Sequence, residues 1–571
     1  MTAPVTPPRS LAWPYRLALV VAVVAAYANT FSVPFVFDDV AAVTQNPSLA
    51  SFVTALAPPP GLSTTGRPLA NLSLALNHAL SGEAVWSYHA LNLALHLTNT
   101  LLLFALLRST FSRSSPTREN RDRSTDHLAL IAALLWSLHP LHTATVTYVM
   151  QRTELLAATA TLLSLSAFAR ATSPAQSAHP TRWLAVSVLA ALTGMASKET
   201  AVVIPALVFL YDRAFVSASF ATALRARPRF YASLAATWFL LAALVLGTDN
   251  RGASAGLAAA LPWSDYALTQ VWAFGHYLRL TVWPSPLVFD YGTLQIRDLS
   301  LLALPALLLL ASLALTWRRP VLRFCTVAFL LLLAPTSLVP IATQTVAEHR
   351  LYLALVLPTV LLALALHRFF ARPALLIAAP VAASLALATF VRNTDYHSAI
   401  ALWADTATKL PTNARAHYNL AVHLLAASPA RDPARAAIAL VETLRLEPTH
   451  PLAPAKLGAT LLELGRPTEA VAPLQIAARL SPDSAAVHYQ LAAALIAADR
   501  APEALPHLAT AVRLNPTHAA ARANYGRALT AARRYAEALA EFDAASRLDP
   551  TDASARENAA RLRAFLRSPP P

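Results

Sequence analysis

The stretch "LRLEPTHPLAPAKLGATLLELGRPTEAVAPLQIAARLSP", residues 444–482, decides how the C-terminal region folds. It opens and closes on the same device, "LRLEP" and "ARLSP". The device returns as "VRLNP" and "SRLDP", so that Pro448, Pro482, Pro516 and Pro550 stand 34 residues apart each time. Small residues keep the same register: Gly458, Ala492 and Gly526; Ala470, Ala504 and Ala538; Ala477, Ala511 and Ala545. Small side chains let two helices approach closely, and a proline removes a backbone donor and ends the helix before it.

A 34-residue period built this way is the signature of the tetratricopeptide (TPR) repeat, a pair of helices that buries its apolar face only by stacking on its neighbours. Four repeats are legible, ending near 448, 482, 516 and 550. Pro411 lies 37 residues before Pro448, which places an insertion in the first repeat near "SPARDP". A last helix, "TDASARENAARLRAFL", caps the stack. Such stacks present a concave peptide-binding surface. Tyr418, Asn419, Tyr489, Asn524 and Tyr525 fall on first helices, where they either line that surface or pack between repeats.

Upstream the composition changes. The 571 residues are 56% hydrophobic and only 13% charged, where a soluble chain carries about 25% charged residues. Mean hydropathy is +0.47, and the apolar excess lies between 13 and 390. A polytopic membrane domain over 1–392 is expected, followed by the repeats over 393–571. The fold class is therefore all-α: transmembrane helices and then a TPR solenoid. The net charge of +15 does not signal nucleic acid, because the arginines are dispersed in short loops. Cys325 is the one cysteine, so no intrachain disulfide forms.

Eleven apolar segments are expected as spans, near 13–30, 88–108, 127–147, 153–170, 183–197, 199–213, 229–247, 299–317, 320–336, 350–368 and 373–391. The basic loops 108–124, 212–229, 317–320 and 367–373 mark the cytoplasmic side, as does the N-terminus with Arg9 and Arg16. The first outer loop is then 31–87. The segment 262–284 carries Asp265, His276 and Arg279 and is read as an interfacial or re-entrant helix on the outer face. The first span also mimics a cleavable signal ending at Ala26-Tyr27-Ala28; a retained helix is expected. The repeats follow the last span to the outside.

That orientation collects the ionisable residues at membrane depth on one face: Asp38 and Asp39 in "FVFDD", His139, Arg152 and Glu154, Lys198 and Glu199, and Glu348, His349 and Arg350. Such residues are costly in lipid and are functional candidates by default. Arginine and lysine near the interface suit the phosphate of a lipid-linked sugar. A carboxylate opposite suits deprotonation of an acceptor hydroxyl. Arg67, opening an amphipathic stretch over 66–82, either joins them or meets lipid headgroups.

The pieces "FVFDD" with "QNP" behind it, "GRPLANLSLALNHAL", "YHALNLALHLTNTLLL", "HPLHTATVTYVMQRTELLA", "GMASKETAVVIP" and "AEHRLYLAL" resemble, in kind and order, the GT-C membrane glycosyltransferases. Within these the chain is most similar to the TMTC-type protein O-mannosyltransferases and their bacterial TPR-bearing relatives. The resemblance implies catalysis by Asp38 or Asp39, a polyprenyl-phosphate sugar as donor, and transfer to protein Ser or Thr. In this reading Arg152, Lys198 and Arg350 hold the donor phosphate, His139, Glu199, Glu348, His349 and Arg67 support the site, and the repeats bind a protein or peptide acceptor. No cofactor is firmly implied. The acidic pair suits a divalent cation, and the three cations suit the same task without one. Arginine in place of lysine, with abundant Ala and Pro, points to a bacterial inner membrane with the repeats in the periplasm; in a eukaryote the repeats would face the ER lumen. Two other readings share these residues: a membrane-anchored TPR scaffold without activity, and a GT-C transferase acting on a lipid or glycan acceptor.

Overall fold

A computed structural model describes residues 12–113, 121–173, 179–248, 261–341, 343–371, 373–426 and 431–567. Arg9, residues 114–120 of the basic loop 108–124 and part of "SPARDP" lie outside the described residues. The described residues are helical, with no strand. The chain divides into two compact units, Met1–Asp405 and Thr406–Pro571. The division falls inside the helix Ala399–Lys409, later than the sequence boundary at 392/393.

All eleven expected segments of the first unit are helices, though they are not all long enough to span. Five pass by length and composition: Trp86–Arg113, Val149–Ala171, Pro228–Leu246, Pro320–Leu338 and Ala374–His397. Three more are bent pairs, Ser124–Ser137 with Pro140–Val146 (51°), Glu199–Phe215 with Phe220–Ala226 (109°) and Glu348–Ala354 with Val356–Phe370 (53°). Ala12–Ala26 and Ser300–Thr316, at 15 and 17 residues, fall short of the roughly 20 a bilayer asks for. Pro180–Met195 has 16 residues. Large apolar side chains stand exposed along these helices, among them Leu17, Phe239, Leu307, Leu376 and Leu387. A water-facing surface would not carry such a belt, and lipid would cover it. The protein is a multi-pass membrane protein.

Trp263–Val282 is a continuous 20-residue helix that does not reach the hydropathy of a span. Polar groups fix it from several sides. Tyr277 Oη donates to Ala347 O at 3.0 Å, and Gln270 Nε2 to Thr345 O at 3.0 Å. These bonds seat the helix against the segment that carries Arg350.

The second unit is four helix pairs and a final helix. Ala414–Ala426 pairs with Pro433–Leu446, Ala453–Glu463 with Pro467–Leu480, Ala485–Ala497 with Ala501–Leu514, and Ala519–Ala531 with Tyr535–Leu548; Ala553–Arg567 closes the array. Each second helix stops two residues before its repeat proline. The glycines mark close helix approach: a β-carbon at Gly458 would run into the Leu474 side chain, and one at Gly526 would lie 3.0 Å from the Phe542 ring.

Candidate functional site

Within the first unit a polar cavity of about 280 Å3 gathers residues that sequence keeps far apart. Asp38 lines it, with Arg67, Glu154, Lys198, Glu199, His349 and Arg350. The loop carrying Ser63 and Thr65 and the residues Gln151 and Gln344 complete the wall.

The acidic pair divides. Asp38 and Asp39 sit in one helical turn, and successive residues on a helix point about 100° apart. Asp39 turns inward, 1% exposed: Oδ1 accepts from the Met150 amide at 2.7 Å and Oδ2 from the Val36 amide at 3.2 Å. Burial pushes its carboxyl up to about 8, against the pull of those two amides, and neighbouring Asp38 adds to the rise. Asp38 faces the cavity, its amide donating to Tyr148 Oη at 3.2 Å. Of the pair, Asp38 alone lines the cavity, while each Asp39 oxygen accepts a backbone amide. Among the described residues no group of three or more His, Cys, Asp or Glu could hold a metal ion.

The cations also divide. Lys198 Nζ pairs with Glu154 Oε1 at 2.8 Å, both largely buried. Burial draws the Lys198 ammonium down from its ordinary value, while Glu154 opposes that shift. Arg67 reaches Glu199 at 2.9 and 3.1 Å through one nitrogen and the Ser63 carbonyl at 2.8 Å through another. Arg350 gives its hydrogen bonds to neutral acceptors, the carbonyls of Thr345 (2.8 Å) and Gln344. It is the cavity cation best disposed to take an anion.

Arg152 corrects the sequence reading. It is not among the cavity residues, and its guanidinium is 1% exposed. Nε donates to Asn92 Oδ1 at 2.7 Å, one terminal nitrogen to Asn77 Oδ1 at 2.6 Å and Ser73 O at 3.0 Å, and the other to Tyr88 O at 2.8 Å. Those donors tie the loop helix Pro68–Ser81 and the start of Trp86–Arg113 to the span behind them, so Arg152 is a brace. His139 and Glu348 are likewise outside the cavity lining. His139 Nδ1 accepts from the Leu141 amide at 3.3 Å, and its Nε2 lies 3.2 Å from Thr281 O. Glu348 Oε1 accepts from the Val288 amide at 2.6 Å and from Tyr291 Oη at 3.0 Å. Glu348, His349 and Arg350 form a 3-10 turn. With three residues per turn, it sends Glu348 away from the cavity while His349 and Arg350 line it.

In the repeats, Asn524 Nδ2 donates to Tyr489 Oη at 3.3 Å, the Tyr489 ring meets His518 at 4.8 Å, and the Tyr418 ring meets His450 at 4.5 Å. Tyr525 packs on the core of the last repeat. These contacts join neighbouring repeats. Asn419 is half-buried.

A helical membrane unit followed by TPR repeats is the class this chain defines. The tetratricopeptide-repeat family model matches residues 425–485 and 495–562. The chain is similar to the human protein O-mannosyl-transferase TMTC2, 30% identical over 200 residues, which are 33% of this chain and 22% of the relative. It is also similar to the human TMTC4 (30% over 226 residues, 36% and 30%) and the Drosophila melanogaster Tmtc3 (28% over 220 residues, 34% and 24%). The matches thus span less than a third of these relatives' length. Among solved structures, YrrB, a TPR protein with an unusual peptide-binding site, is 26% identical with a TM-score of 0.27, covering 29% of this chain and 84% of that one.

Proposed function

We propose that the first unit transfers a sugar from a polyprenyl-phosphate donor to a hydroxyl acceptor, by the relatives' example a mannose to protein Ser or Thr. The observation that carries this reading is a run of three cavities. A small one of about 30 Å3 shares Glu154, Thr336 and Arg350 with the polar cavity. It shares Thr161, Leu332 and Leu353 with an apolar cavity of about 200 Å3 walled by leucines, Phe324 and Cys325 between the membrane helices. A polar chamber that shares its wall, through the small cavity, with an apolar one suits a ligand with an anionic head and a hydrocarbon tail. It does not suit a soluble sugar nucleotide.

In this reading Arg350 and Lys198 hold the phosphate, and Arg67 faces the sugar. The acceptor hydroxyl attacks the anomeric carbon while Asp38 takes its proton. The bond from that carbon to the phosphate oxygen breaks, and the phosphate leaves with the electron pair. Arginine and lysine stabilise the charge that grows there. The repeats hold the protein acceptor, and the site with the repeats lies on the extracytoplasmic face.

The test supplies purified protein with polyprenyl-phosphate [14C]mannose and follows label released as mannose or joined to protein. Wild type should turn over, and Arg350→Ala should lose on the order of 2–4 kcal/mol of transition-state stabilisation. Arg318→Ala, in the "WRRP" loop and outside the lining of all three cavities, should be silent. Equal loss in both variants would remove the phosphate site.

A further inference from the structure

Phe37 stands immediately before Asp38 with a backbone φ of +51°, a left-handed conformation that strains a bulky residue. Something must hold it there. Its ring meets Trp403 at 5.4 Å and Phe289 at 6.2 Å, both edge to face. Phe289 in turn meets Trp403 at 5.3 Å and the Tyr148 ring at 5.4 Å. Edge-to-face pairs attract beyond the area they bury, so the cluster offsets the strain. The turn it enforces brings Asp38 onto the Tyr148 hydroxyl. That hydroxyl accepts from the Asp38 amide at 3.2 Å, which leaves its own proton available to the carboxylate of the same residue. Tyr148 is 5% exposed and does not line the cavity itself.

We propose that Tyr148 is the positioning residue for Asp38: its hydroxyl, fixed by the Phe37–Phe289–Trp403 cluster, aims and keeps ionised the carboxylate that receives the acceptor's proton. The proposal rests on the reading of Asp38 as base. An ionised carboxylate gains from a hydroxyl donor where water is scarce. The hydroxyl cannot ionise in its place, because burial and the nearby Asp38 and Asp39 hold the phenol well above its ordinary range. The charged or titratable groups that line the cavity with Asp38 are Arg67, Glu154, Lys198, Glu199, His349 and Arg350, and Asp39 stands beside it. Removing the Tyr148 hydroxyl leaves the residues of that wall in place.

The experiment measures [14C]mannose release or transfer from polyprenyl-phosphate mannose across pH. Tyr148→Phe keeps the ring and deletes the hydroxyl. It should lower kcat about tenfold with donor KM little changed. It should also shift the acid limb of the profile to higher pH, because the carboxylate has lost a donor. Replacing Tyr148 with 3-fluorotyrosine keeps the packing and strengthens the donor, so the acid limb should move to lower pH. A packing role alone moves neither limb. If Asp38→Asn is inactive while both Tyr148 variants keep the wild-type profile, the positioning role is overturned and the base stands. If Asp38→Asn is fully active, or wild type releases nothing, the underlying reading falls and this proposal with it. Should Tyr148→Phe fail to fold, the fluorotyrosine shift alone decides.

Discussion

At the scale of the residue, two neighbours with the same side chain have opposite fates. Asp38 faces a cavity and Asp39 is walled in by two amides. Asp38→Asn should therefore cut turnover about a hundredfold or more, with little effect on stability. Asp39→Asn should act mainly on stability, and with a definite sign in pH. A carboxyl held near 8 in the folded state, against about 4 unfolded, binds its proton more tightly when folded. The stability this gives is fully present below pH 4 and is lost progressively as pH rises to 8. Thermal midpoints in detergent should thus show wild type declining relative to Asp39→Asn from pH 5 to 8, with a flat gap above. A gap that ignores pH would contradict the buried, protonated Asp39. Arg152 makes the complementary case. Hydrogen bonds to a charged group are worth about 1.5–3 kcal/mol each, so Arg152→Ala should destabilise by several kcal/mol, leaving Asn77 and Asn92 without their donor. Arg350→Ala, which removes bonds to the Thr345 and Gln344 carbonyls only, should lower the midpoint by less than Arg152→Ala.

Elements were more legible than the directions of their side chains. Apolar run length located the eleven apolar helical segments of the first unit but not the short helix Phe220–Ala226 inside the basic loop 212–229, and the repeat prolines marked the helix ends of the second. Run length alone did not show that "LHPLH" bends one span, although Pro140 stands at the break. Nor could it tell Arg152 from Arg350: both are arginines at the head of an apolar helix, and what separates them is which neighbours supply acceptors. Tyr148 and the loop at Ser63 and Thr65 carried no signal of charge and were passed over. The small residues of the repeats were legible, and they set a prediction. Gly→Ala in a helix gains about 1 kcal/mol of propensity, while overpacking costs about 1–3. At Gly458 the added carbon strikes Leu474 at its branch, so overpacking wins and Gly458→Ala should speed proteolysis of the repeats. At Gly526 the contact is a ring edge at 3.0 Å, and the two effects should nearly cancel.

At the scale of the molecule, the basic loops predict that the repeats lie across the membrane from Arg318 and Arg319. A protease site placed after Pro571 should be cut from the extracytoplasmic side in oriented vesicles, and a cysteine placed at Arg318 should be labelled from the other. Labelling of both from one side would overturn that orientation. The cavity also has a consequence for the fate of whatever it releases. It sets Arg67, Lys198 and Arg350 against Asp38, Glu154 and Glu199. In the proposed transfer the donor's phosphodiester would bring one negative charge, and the spent lipid phosphate, with a second pKa of about 6, nearly two. The three cations would then hold the product more tightly than the donor, and product exit is the step predicted to limit turnover. Polyprenyl phosphate should inhibit at concentrations well below the donor's KM, and Arg350→Lys should relieve that inhibition.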